Sequence, residues 1–171
     1  MGILSLTTPE DLLIKCKKEM SSFSPVEYND YQLFNVIFSL NHLYEWAYKD
    51  DAMDSQKAKK IAEHFFPFDK FSRCHCDILK GIISHSVKTN PNQKAIRLLS
   101  NRQKHVNVKS NTPTLSQTKV TTSTAGSMFA GGVNSNAGYS KFIYEIQLGN
   151  NTVDLVDLIN SLITDWEQYL S

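Results

Sequence analysis

The stretch KFIYEIQLGNNTVDLVDLINSLITDWEQYL, Lys141 to Leu170, holds two different periodicities end to end. Phe142, Tyr144, Ile146 and Leu148 alternate with their neighbours, which puts large apolar side chains on one face of an extended chain. Gly149-Asn150-Asn151 is a turn sequence, and Thr152-Val153 is expected to pair briefly with the strand before it. From Asp154 the period changes. Leu155, Leu158, Ile159, Leu162, Ile163, Trp166 and Tyr169 recur at helical spacing and form one stripe that must dock on a core. A hairpin leading into an amphipathic helix indicates an α+β chain.

Upstream of this stretch, Val106-Asn107-Val108 and the threonine-rich Leu115 to Thr124 also favour strands. Between them and Lys141 lies Thr124 to Ser140, with Gly126, Gly131, Gly132 and Gly138 among serines and asparagines, which reads as a long hairpin tip or a mobile loop. Earlier still the pattern is helical. Thr8-Pro9-Glu10-Asp11 announces a first helix to about Met20, with Thr8 as cap and Pro9 in the first position. Ser24-Pro25 punctuates the chain before a second helix from about Val26 to Lys49. That helix is apolar around most of its circumference, which predicts a central, buried position. A third helix is expected over Asp54 to Phe66, a fourth over Asp69 to His85 and a fifth over Gln93 to His105, with Ala95, Ile96 and Leu99 buried.

The expected fold is therefore mainly α: a bundle of five to six helices with a β-hairpin or small antiparallel sheet inserted before the C-terminal helix. No repeat or linker divides the sequence, so residues 1–171 read as one domain, with helices in 1–105, a β-rich insertion in 106–153 and the final helix in 154–171.

Composition narrows the function classes. A net charge of +1 lacks the broad basic excess of proteins that bind long nucleic acid by neutralising phosphates. Three cysteines, Cys16, Cys74 and Cys76, are too few and odd in number for a disulfide framework and suit a reducing compartment. No apolar run approaches the roughly 20 residues that span a bilayer, and the start lacks a secretory signal, so a cytoplasmic protein with no membrane partner is expected.

Two sets of polar residues invite chemistry. In the second helix Asn35, Ser39 and His42 fall at i, i+4 and i+7 and share a face. In the fifth, Arg97, Asn101, Lys104 and His105 share another. Should the two faces meet, imidazoles, amides and cations would converge in a site able to act on a phosphodiester without a metal or other cofactor. His105 would then be general acid or base with His42 opposite, and Arg97 and Lys104 would hold the phosphate. The structural alternative is that these groups fix helix packing and that Asn101 anchors its helix end.

The segments Asn35-x6-His42-Leu43-x2-Trp46 and Arg97-x3-Asn101-x2-Lys104-His105 precede a β-rich stretch and a terminal helix with Trp166-Glu167. Together they resemble a group of small bacterial and phage-borne proteins that are in turn similar to HEPN domains. The resemblance implies a helical bundle, often dimeric, directed at RNA as a metal-independent ribonuclease or a degenerate RNA binder. Its setting would be bacterial defence, toxin–antitoxin systems or mobile elements. Seven residues separate Arg97 from His105, a wider spacing than in the HEPN ribonuclease motif. The competing reading is a non-enzymatic module whose hairpin and glycine-rich loop recognise a protein partner. A third is a nucleotide or small-molecule pocket between the same helices.

Other motifs carry less. Cys74-His75-Cys76 lacks the second pair of spaced ligands that structural zinc needs. The glycine cluster lacks the Gly-Lys-Ser/Thr ending of a phosphate loop. Ser84-His85-Ser86 lacks a nucleophile elbow, and the short lysine runs near residues 15–18 and 57–60 read as solvated helix faces.

Overall fold

The computed structural model of the chain describes residues 6–25, 29–71, 77–104, 115–122, 139–148 and 150–171. Among these, six helices and three strands follow the order expected: α1 (Pro9–Ser22), α2 (Asp30–Lys49), α3 (Ser55–His64), α4 (Asp77–Ile82), α5 (Pro91–Lys104), β1 (Leu115–Thr122), β2 (Tyr139–Leu148), β3 (Asn151–Asp154) and α6 (Leu155–Leu170). The fold is a helical bundle with a small antiparallel sheet inserted before the C-terminal helix.

Local chemistry sets the boundaries. At α1 the Thr8 hydroxyl accepts from the Asp11 N–H while the Asp11 carboxylate accepts from the Thr8 N–H, a reciprocal capping box with Pro9 in the first turn. α2 begins at Asp30 rather than Val26 because the Asn29 side chain accepts from the Gln32 N–H and caps it there. Asp54 caps α3 in the same way. α5 starts two residues earlier than expected. Asn90 Oδ1 accepts from the Gln93 N–H, and Pro91 takes the first helical position.

The long fourth helix expected over Asp69 to His85 is replaced, among the described residues, by the single short α4. Only Leu79 of that helix is buried, and Gly81 near its end weakens it further. The expected strand at Val106 to Val108 and most of the glycine-rich segment lie outside the described residues, as does Cys74-His75-Cys76.

The sheet order is β1-β2-β3, antiparallel throughout. Its register sets Leu115 opposite Ile146, Gln117 opposite Tyr144 and Lys119 opposite Phe142, so these six side chains share one face. β3 pairs only with the end of β2, and beyond it the Phe142 N–H donates to the Pro25 carbonyl at 2.7 Å. Asp154 is both the last residue of β3 and the N-cap of α6, accepting from the Val156 N–H at 2.7 Å.

One hydrophobic cluster joins buried residues of α1, α2, α3, α4, α5, β2 and α6. α2 packs against α1, α3 and α5, as befits a central helix. It is not apolar all round, however: Tyr31, Asn35, Glu45 and Lys49 face solvent along one strip. Trp166 of α6 lies flat on Phe65, with ring centroids 3.7 Å apart. No helix of the described residues is long and apolar enough to cross a membrane.

Candidate functional site

The outward strip of α2 contains two of the three polar residues that the sequence grouped there. Asn35 is exposed and His42 is half-buried. His42 turns back on its own helix, with Nδ1 at 2.7 Å from the Phe38 carbonyl and its ring stacked on Phe38 at 5.9 Å. Ser39 is buried at the edge of the strip, where its hydroxyl accepts from Lys15 Nζ of α1 at 2.7 Å. The polar edge of α2 therefore leans on α1. Toward α5, the Leu40 carbonyl of α2 accepts from Gln93 Nε2 at 3.2 Å.

On α5 the Arg97 guanidinium lies over the Phe68 ring at 4.4 Å, and Asn101 is half-buried one turn further on. Lys104 closes the described part of the helix, and His105 lies outside the described residues. The contacts of His42 and the Arg97–Phe68 contact do not join one stripe to the other.

Three features escaped the sequence reading. The first is Gln93, which has no exposed surface and links three elements: it donates to Leu40 of α2 and accepts from the Trp166 indole of α6 at 3.3 Å. Its signal was present, since Gln93, Ile96 and Ser100 fall on one arc of α5. The second is the contact between α1 and α2. Lys15 bridges Glu19 at 2.8 Å and Ser39, and Cys16 is fully buried beside them, its thiol pushed up to about 12 by burial. One Glu19 oxygen and the Ser100 hydroxyl are buried without a partner.

The third is aromatic. Phe34, Phe38 and His42, at steps of four, form a ladder with ring centroids 4.7 and 5.9 Å apart, and Tyr31 at its head is 82% exposed. Beside the ladder, Asp30 and Gln117 meet Tyr144, whose hydroxyl pKa is raised chiefly by burial and then by the neighbouring Asp30 carboxylate. Among the described residues no group of three or more histidine, cysteine or acidic side chains is placed to hold a metal ion.

No protein-family model, curated protein or solved structure matches the chain.

Proposed function

We propose that this chain is a non-catalytic interaction module that binds a protein partner along the outward strip of α2 and the adjoining hairpin strand β1. The aromatic ladder carries this reading. Tyr31 is exposed and Phe34, Phe38 and His42 continue the row partly exposed, where aromatic groups are enriched in interface cores and where such exposure is otherwise unfavourable. β1 adds a second element, because it is an edge of the sheet and its side chains from Leu115 to Lys119 are exposed. The test is peptide-library panning on the full chain, with counter-selection on a Tyr31→Ser/Phe38→Ser variant of matched thermal stability. Peptides that bind the wild type and not the variant are expected. A library that yields none, or only binders indifferent to both rings, removes the proposal. Sedimentation equilibrium of both proteins tells a homodimer from a foreign partner.

A second reading is the RNA-directed one, as a HEPN-like ribonuclease or RNA binder, and the Arg97–Phe68 pair supports it. A guanidinium pre-ordered on an aromatic ring is suited to phosphate and to a stacked base. Incubation with single-stranded and structured RNA, repeated with Arg97→Ala and His105→Ala, decides it. Binding lost in Arg97→Ala and cleavage lost in His105→Ala support this reading; the same behaviour in all three proteins excludes it.

A further inference from the structure

Against the N-terminal half of α2 lies a hollow of about 290 Å³. Leu33 and Ile37 of α2, Leu155 of α6 and Leu115 at the start of β1 give it an apolar floor. Tyr31, Phe34 and Tyr144 add aromatic walls. Asp30 is the one carboxylate among the described lining residues, which include no cationic side chain. Its Oδ1 accepts from Gln117 Nε2 at 3.4 Å, and the same amide lies 3.2 Å from the Tyr144 hydroxyl. Both neighbours are neutral. The positive end of α2 offsets part of the Asp30 charge, and no described lining side chain carries a positive charge to balance the rest.

We propose that this hollow receives a lysine side chain of a protein partner, with its stem on the leucine and isoleucine floor and its ammonium at Asp30 beside the aromatic rings. The inference rests on the interaction reading and specifies the chemistry of one contact within it. Three observations lead to lysine. The volume sits at the lower edge of the about 300–1,000 Å³ that encloses whole small ligands, which suits one inserted side chain. An apolar trough ending in an acid beside aromatic faces matches a hydrocarbon stem ending in a cation. A guanidinium would call on both carboxylate oxygens at once, whereas the carboxylate is already hydrogen-bonded by Gln117 and Tyr144; a compact ammonium needs only a single point of charge.

The experiment titrates the full chain with n-pentylammonium, n-pentanol and n-pentanoate, following the methyl resonances of Leu115 and Leu155 by NMR. The ammonium should bind roughly tenfold more tightly than the alcohol, the difference made by a hydrogen bond to a charged group. The pentanoate should not bind. In Asp30→Asn the advantage of the ammonium should vanish while the helix keeps its Asn29 cap. Leu115→Trp, which crowds the apolar floor and leaves Asp30 in place, should abolish ammonium binding. The inference is overturned if alcohol and ammonium bind alike in the wild type, if the preference survives Asp30→Asn, if Leu115→Trp still binds the amine, or if no probe moves the resonances. Its failure is separable from that of the interaction reading: panned peptides that depend on Phe38 and ignore Asp30 would keep the surface and discard the lysine.

Discussion

Gln93 and Cys16 show what single buried groups contribute. The Gln93 amide pairs with a carbonyl of α2 and an indole N–H of α6 in a place water does not reach. Gln93→Leu keeps the volume and strands the Trp166 N–H, so it should lower stability by about 1–3 kcal/mol, read as a shift in urea midpoint followed by tryptophan fluorescence. Cys16 gives a pH signature. Burial raises its pKa from 9.0 to about 12, so between those values the folded thiol keeps a proton that the unfolded chain has lost. The contribution is therefore whole below pH 9 and is lost as pH rises toward 12, with a slope of at most about 1.4 kcal/mol per unit. Subtracting the stability curve of Cys16→Ala from that of the wild type isolates this slope; parallel curves would refute it. In a Cys74→Ser/Cys76→Ser background, Cys16 should resist alkylation at pH 8 until the chain unfolds.

Elements were more legible in the sequence than single contacts, because spacing reports a face while the identity of the neighbour depends on tertiary packing. The α1 capping box could be read from Thr8-Pro9-Glu10-Asp11, and the structure contains it. Thr8→Ala should cost about 1 kcal/mol in a thermal or urea melt. Asp11 adds an acid limb to that effect. Its carboxyl is held below the ordinary range, first by the Thr7 N–H and then by the Thr8 N–H, so its share is present above the usual carboxylate pKa and disappears as pH falls through the lowered one. The stripe of α6 and the alternation in β2 were equally plain, since Trp166 and Ile146 are fully buried. α2 misled because Phe34, Phe38 and Trp46 made it look apolar all round, yet all three are only partly buried. On the same helix Asn35, Ser39 and His42 do share a face, but spacing alone cannot say that Ser39 at its edge meets Lys15 of α1.

At the scale of the molecule, one cluster of buried side chains runs from Leu12 of α1 to Leu170 of α6 and takes in Tyr144 and Ile146 of the sheet. Such continuity predicts a single cooperative transition: far-ultraviolet circular dichroism and tryptophan fluorescence should give the same urea midpoint, and a separate early loss of either signal would show that the sheet melts on its own. The junction at Asp154 has a mechanical corollary. With no spacer between β3 and α6, a one-residue slip of the strand would have to turn the helix by about 100° and carry Trp166 off Phe65. Added length at Asn150 is therefore transmitted straight to the core.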